Sequence, residues 1–119
     1  MSMLLFVACV MGAAGVALMA ASAHTAPGAG LDSAGYLLLF HAASVVAMLA
    51  VLGQGLAWRP LAIAGTVGLI AGAALFAGDV AMRAYVGHRL FPMAAPTGGI
   101  VLIIGWLTIA VSALMGGRS

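Results

Sequence analysis

Charge is nearly absent from this chain, and the few charged residues leave long uncharged windows between them. Four arginines and two aspartates are the only Asp, Glu, Lys or Arg residues among 119. None of them lies within residues 1–31, 33–58, 60–78 or 90–117. Each window has about the 20 apolar residues that a helix needs to cross a hydrocarbon core of ~30 Å. A water-soluble fold could not cover so much apolar surface, so the sequence predicts a membrane protein.

The composition excludes several other classes of protein. Hydrophobic residues make up 66% of the chain, and the mean hydropathy is +1.28. A chain this short has no room for a soluble domain beside its spans. The net charge of +2 comes from scattered arginines, whereas nucleic-acid binding needs clustered basic residues. We therefore expect the lipid bilayer as the main partner and no nucleic acid.

Turn-forming segments divide the chain into four apolar stretches. The segments HTAPGAGLDS and GHRLFPMAAP are predicted loops, and Arg59-Pro60 is a predicted tight turn. We predict an all-α, integral membrane four-helix bundle with up-down-up-down topology, in one domain covering residues 1–119. Its spans are expected at about residues 3–23, 34–57, 61–85 and 97–115.

The end of the first span resembles a processing site. Ala21-Ser22-Ala23 has the small-x-small pattern of signal-peptidase cleavage, which would make His24 the new N-terminus. The preceding segment lacks Lys and Arg, and its apolar stretch is longer than the usual 7–15 residues of a signal peptide. We expect the segment to be retained as a membrane span.

Four spans place both termini on one side of the membrane. Arg59 and Arg118 lie on that side, and Arg83 and Arg89 lie on the other, so the positive-inside rule gives a tie. The N-terminal amine, and the position of both aspartates on the loop side, favour termini in the cytoplasm.

Glycine is the second compositional signal, with 17 residues in the chain. Gly65, Gly68 and Gly72 give span three a small-residue face, which permits close helix contact in lipid. Such a face indicates packing within the bundle, or else dimerisation. We identify no internal repeat in the sequence.

Ionisable residues at membrane depth are the candidates for a functional site. His41 is predicted ~10 Å below the start of span two, and Asp79 at a similar depth in span three. Such groups normally face the bundle interior. Because spans two and three are joined by a tight turn, we predict that His41 and Asp79 are partners, with His24 at the mouth of an outer-facing polar pocket.

Further residues extend this candidate pocket. Arg83 stands four residues after Asp79, at the spacing of a helix ion pair. Thr97, Gly98 and Gly99 are expected to open span four on the same face, with Thr97 as its N-cap. The free N–H groups of a helix start attract anions.

The chemistry of this pocket has several interpretations. His24 and His41 are candidate ligands for Zn²⁺, Cu²⁺ or a haem iron, and histidine can also relay protons. The alternative is a structural cluster in which Asp79 pairs with Arg83 and His41 bonds a backbone group or Ser44. We expect no cofactor.

Other motifs are uninformative about activity. The sequence has no G-x-S-x-G motif, no P-loop and a single cysteine, Cys9. Trp106 is expected to pack in the core with its N–H on a carbonyl. We expect no enzymatic activity.

Four segments of the chain form a recognisable pattern: LMAASAH at residues 18–24, FHAASVVAML at 40–49, LFAG at 75–78 and PTGGIVLIIGW at 96–106. In this order they resemble the domain of unknown function 423 family of small four-span bacterial inner-membrane proteins. The resemblance implies a plasma-membrane protein with cytoplasmic termini and no assigned activity. His24 and His41 match the family pattern, whereas Asp79 occupies a position that is usually small or hydroxylic.

Three functions follow from these observations. The leading hypothesis is a non-enzymatic accessory or small-ligand-handling bundle, acting alone or within a larger membrane complex. The second is a metal- or haem-binding membrane protein that uses His24 and His41. The third is a transporter subunit that works as a homo-oligomer, with Gly68 and Gly72 at the interface between copies.

Overall fold

The computed structural model describes residues 2–25 and 27–116. It contains four α-helices: α1 is Ser2–His24, α2 is Leu31–Gly53, α3 is Arg59–Tyr85 and α4 is Ala94–Leu114. All four are long and apolar enough to cross a membrane, and the described part of the chain contains no β-strand. The predicted all-α class is therefore confirmed. Arg118 and the C-terminal residue Ser119 lie outside the described residues.

Three predicted helix boundaries are wrong, because backbone geometry at the connections was not anticipated. Helix α2 begins at Leu31 instead of near residue 34. Helix α2 ends at Gly53 instead of near residue 57, since Gly55 adopts a left-handed conformation with φ of 71° and turns the chain. Helix α4 begins at Ala94, so Thr97 is not its N-cap. The Thr97 N–H donates to the Met93 carbonyl at 2.9 Å. Pro96 is accommodated because the first helical residues need no N–H donor.

The helices form an open row in which sequence neighbours pack together. Helix α1 packs on α2, α2 on α3 and α3 on α4, while α1 touches α3 lightly. Within the described residues, α1 and α4 do not approach each other. The buried residues explain this arrangement: α1 and α4 each bury one stripe, whereas α2 and α3 each bury two. The expected four-helix bundle is therefore open between its first and last helices.

Helices α1 and α2 form an antiparallel hairpin, and so do α3 and α4. In both hairpins glycines allow the two backbones to approach closely. A Cβ on Gly15 would lie 2.9 Å from the carbonyl oxygen of Gly35, and one on Gly35 would lie 2.8 Å from that of Gly15. The pair Gly72 and Gly98 has the same reciprocal contact, at 2.8 and 2.9 Å. In both hairpins the backbones touch at a distance that leaves no room for a side chain.

The two hairpins are a structural repeat. The sequence analysis identified no internal repeat, and the structure corrects that expectation. Gly15 and Gly72 are each the fourteenth residue of their helix, and Gly35 and Gly98 are each the fifth. The neighbours also correspond, because a Cβ on Gly15 would lie 3.0 Å from Leu39 N and one on Gly72 would lie 3.0 Å from Leu102 N. The repeat is hard to recognise in the sequence because the hairpins share few residue types apart from GVALMA at 15–20 and GAALFA at 72–77.

Candidate functional site

His41 makes a polar contact with the last helix. The Trp106 indole N–H donates to His41 Nε2 at 3.2 Å, and the ring centroids are 5.9 Å apart. His41 lies on α2 and Trp106 on α4, and the two helices are not in direct backbone contact. The side-chain pair therefore bridges α2 and α4 across the row. This differs from the expectation that Trp106 would donate to a carbonyl from inside the core.

The partners of His41 define its tautomer. Nδ1 lies 2.8 Å from the Leu37 carbonyl oxygen, which can only accept a hydrogen bond. Nδ1 must therefore carry the proton, and Nε2 must accept from the donor-only indole N–H of Trp106. The neutral Nδ1–H tautomer satisfies both bonds at once. Both ring nitrogens of His41 are thus engaged, one within its own helix and one across the row.

Asp79 is fully buried near the end of α3 and has its own set of partners. Its Oδ1 accepts from the Leu90 N–H at 3.0 Å, which ties the loop between α3 and α4 back onto α3. Its Oδ2 lies 3.4 Å from Arg83 Nε, and the Arg83 side chain is 42% exposed. The local ion pair expected from the four-residue spacing is present.

The second oxygen of Asp79 is paired by charge without a formed hydrogen bond. The contact with Arg83 is close enough for an ion pair, yet Oδ2 has no hydrogen-bond partner in the described residues. The two findings are compatible because an ion pair requires proximity alone, whereas a hydrogen bond also requires alignment. Coulomb attraction to Arg83 therefore offsets part of the cost of burying the carboxylate charge. The solvent exposure of that arginine weakens the attraction.

The predicted partnership of His41 with Asp79 is wrong. Two contacts place His41 at the level of Leu69 on α3. His41 contacts Trp106, which follows Gly105, and a Cβ on Gly105 would lie 3.3 Å from Leu69 N. Asp79 is ten residues beyond Leu69, or about 15 Å along the helix. The prediction placed His41 too close to the loop end, because α2 begins at Leu31 and His41 lies near its middle.

His24 is also separate from His41. It ends α1 and is exposed. Gly12 faces Ala42, where an added Cβ would lie 3.8 Å from the Ala42 Cβ. His24 is twelve residues further along α1, or about 18 Å. The two histidines of one chain therefore do not fit a shared Zn²⁺, Cu²⁺ or haem iron.

Near His24, the ends of α1 and α3 meet through two hydroxyl groups. Thr25 Oγ1 lies 3.2 Å from the Tyr85 hydroxyl, and Thr25 also donates to the Ala21 carbonyl at 3.0 Å. This contact was not predicted from the sequence. Its only signal was the position of each residue at the loop end of a predicted span.

The start of α4 is used for packing rather than for an anion site. Gly98 is buried, and an added Cβ would lie 2.9 Å from Phe76 N. Thr97 is exposed, and a Cβ on Gly99 would meet no atom within 4 Å. Asp79 bonds the Leu90 N–H instead of these first-turn groups. The expected pocket of His24, His41, Asp79, Arg83, Thr97, Gly98 and Gly99 is therefore not one site.

The predicted glycine face of α3 lies against α4. A Cβ on Gly65 would lie 2.9 Å from the Gly105 carbonyl oxygen, one on Gly68 would lie 3.4 Å from Gly105 Cα, and Gly72 contacts Gly98 as described above. These glycines are occupied within the chain. They are not available as the interface between copies that the transporter hypothesis requires.

An apolar groove of about 500 Å³ lies between α1 and α3 and is also lined by Leu38 of α2. Large side chains of α1, such as Phe6 and Leu18, form one wall, and small residues of α3, such as Ala74 and Gly78, form the other. None of its lining residues carries a charge. The groove lacks the polar groups that would orient a polar substrate.

Comparison with known proteins adds no assignment: no protein-family model, no curated protein and no solved structure matches this chain.

Proposed function

We propose that this chain is a multi-pass integral protein of the bacterial inner (plasma) membrane that serves as a non-enzymatic accessory subunit. The helices contain 23, 23, 27 and 21 residues, so each is at least ~30 Å long. Large apolar side chains cover the outside, including Phe6, Phe40, Ile103 and Leu107. Lipid is the environment in which such a surface is stable.

The observation that carries the accessory role is the use of polar side chains for packing. His41 has partners at both ring nitrogens. The buried Thr66 and Ser112 donate to backbone carbonyls of their own helices, at 2.8 and 2.6 Å. A catalytic or substrate site needs convergent polar groups that are free to bind. The internal satisfaction of these groups supports a structural role for them.

The alternatives have less support. Metal or haem binding by His24 and His41 requires both residues to reach the same ion, but they lie about 18 Å apart along the helix direction. Ligand handling was inferred from a polar pocket whose members lie apart. The relationship to the domain of unknown function 423 family remains part of the proposal, and rests on the four segments quoted above.

Membrane insertion is tested by extraction of isolated membranes with alkaline carbonate. We expect the protein to stay in the pellet, because four spanning helices are released only by detergent. Release into the supernatant would contradict the proposal. We also propose cytoplasmic termini, supported by the charge asymmetry and the resemblance. Reporter fusions after Ser119 and after Arg89 should report the cytoplasm and the periplasm respectively.

The accessory role is tested by complementation of a deletion strain. His41→Asn and Asp79→Asn should support growth or stress resistance in proportion to the amount of folded protein in the membrane. A variant at wild-type abundance that has lost all function would assign a direct chemical role to that residue. Such a result would contradict a purely structural use of these side chains.

A further inference from the structure

One face of α1 and one face of α4 are open to the surroundings of the chain. In the structural repeat, the counterparts of these two faces lie on α3 and α2, where they are buried against each other. We propose that a second copy of this chain covers the two open faces, with its α1 packed on α4 as α3 is packed on α2. This assembly goes beyond the proposed function, because it assigns an oligomer and the surface that forms it.

The inner contact of the row is the template for this assembly. Helix α3 has a glycine stripe that faces α4 and a second buried stripe about 90° around the helix, which faces α2. Helix α2 is arranged in the same way, with one stripe toward α1 and one toward α3. We assign to the α2–α3 contact the buried residues of these second stripes, which are Ala34, Leu38, Val45, Met48 and Leu52 on α2, and Ala62, Thr66, Ala73, Ala77 and Val80 on α3.

The repeat relates these residues to exposed positions on the outer helices. Residues of α1 correspond to those of α3 57 positions later, as Gly15 does to Gly72, and residues of α2 correspond to those of α4 63 positions later, as Gly35 does to Gly98. The counterparts of the α3 stripe are the exposed residues Leu5, Cys9, Val16, Ala20 and Ala23. The counterparts on α4 are Thr97, Val101, Thr108 and Val111, which are exposed or half-exposed, and the counterpart of Leu52 is Met115, directly after the end of α4.

The glycine stripes differ from the second stripes, because they are buried in both hairpins. Ala8 and Gly15 are buried like their counterparts Gly65 and Gly72. Each hairpin therefore completes its own inner contact, and within residues 2–25 and 27–116 the contact between hairpins is the one that lacks a partner at the two ends of the row. Helix α1 is accordingly the least buried of the four spans, with 17% of its apolar window buried against 39% for α3.

A second copy fits these two faces better than any other occupant, because one chain carries both halves of the contact. When the α4 face of one copy packs on the α1 face of the next, the next copy continues the row. The displacement between the copies is then the one that relates the first hairpin to the second. Such an interface joins different surfaces of the two copies, so it builds a ring or a chain of copies rather than a symmetric pair.

A single cysteine substitution tests the register of this contact. Thr66 and Val45 are both fully buried, on the stripes that we assign to the α2–α3 contact, and their counterparts are Cys9 and Thr108. In the full-length Thr108→Cys variant, mild oxidation should join Cys9 of one copy to the introduced thiol of the next and give dimers and higher species on a non-reducing gel. Ala110→Cys, which is exposed on the opposite face of α4, is the matched control and should remain at least fivefold less cross-linked.

Removal of the native thiol distinguishes this arrangement from a symmetric one. Cys9→Ser combined with Thr108→Cys should abolish the cross-link. Persistence of an equal cross-link, formed between the introduced thiols of two copies, would overturn the proposal. The absence of any cross-link in the single Thr108→Cys variant would overturn it as well.

The mass of the detergent-solubilised protein provides a test that does not depend on oxidation. Light scattering should give a multiple of the 11.8 kDa chain mass. Val16→Trp should reduce that mass to a single chain, whereas Val10→Trp, at an exposed position on another face of α1, should leave it unchanged. A wild-type protein with the mass of one chain would overturn the proposal, while its retention in carbonate-washed membranes would leave the proposed membrane location intact.

Discussion

Trp106 on α4 donates its indole hydrogen bond to Nε2 of His41 on α2, at 3.2 Å. The two helices have no backbone contact, so this bond is a direct polar link between them. Because Leu37 O holds the His41 ring in the Nδ1–H tautomer, Nε2 is the ring nitrogen that accepts from Trp106. The link between α2 and α4 is therefore a single side-chain hydrogen bond.

We predict that Trp106→Phe lowers the free energy of unfolding by about 0.5–1.5 kcal/mol, the usual value of one hydrogen bond. Phenylalanine keeps most of the ring contact but leaves His41 Nε2 without its donor. The measurement is denaturant unfolding in detergent micelles. In a double-mutant cycle with His41→Phe, the combined loss should be smaller than the sum of the two single losses. Strict additivity would mean that the bond contributes nothing to stability.

We predict that Gly72→Ala destabilises the α3–α4 hairpin by about 1–3 kcal/mol, the usual cost of overpacking. The added methyl group would lie 2.8 Å from the Gly98 carbonyl oxygen and 3.0 Å from Leu102 N. Both are backbone atoms, so relief requires the helices to move apart. The thermal unfolding midpoint in detergent gives the measurement.

The matched control is Gly99→Ala, at a helical glycine with no atom within 4 Å of an added Cβ. Alanine there should be neutral or should stabilise by up to about 1 kcal/mol through helix propensity. Equal losses for the two variants would show that close α3–α4 contact is not the cause.

We predict that Asp79→Ala costs about 1.5–3 kcal/mol, the value of a hydrogen bond to a charged group. It removes the acceptor of the Leu90 N–H. Asp79→Asn should cost less, because the side-chain carbonyl can still accept that bond while the contact with the half-exposed Arg83 is lost. Limited proteolysis of the loop at residues 86–93 should accelerate in the alanine variant only. Identical behaviour of both variants would assign the main role to the Arg83 pair.

We predict that Met93→Gly stabilises the protein by about 1 kcal/mol. Met93 precedes α4 with φ of 69°, and it is 62% exposed. A left-handed conformation costs a side-chain-bearing residue roughly 1–2 kcal/mol, which glycine avoids. Met93→Val should destabilise, because β-branched residues tolerate this region least. A lower unfolding midpoint for the glycine variant would show that the Met93 side chain makes a contact worth more than the strain.

Local sequence determined the helices and part of their faces. Uncharged windows of sufficient length predicted four apolar helices, and the structure contains them. The small-residue face of Gly65, Gly68 and Gly72 was also recognisable, because three- and four-residue spacings place residues on one side of a helix. The i, i+4 spacing of Asp79 and Arg83 likewise predicted a contact that forms within a single helix turn. Each of these features depends on residues near one another in the chain.

Tertiary structure decided which helix each face meets and at which level. His41 and Asp79 were placed at one depth from assumed helix ends. Helix α3 ends at Tyr85 as expected, but α2 begins at Leu31, three residues earlier than assumed, which places His41 about 4.5 Å deeper. The rest of the separation comes from the stagger between the helices. The Trp106 partner of His41 and the reciprocal glycine contacts join residues far apart in sequence. A repeat built from backbone contacts at Gly15, Gly35, Gly72 and Gly98 leaves little mark on residue identity, because close approach requires only that no side chain intervene.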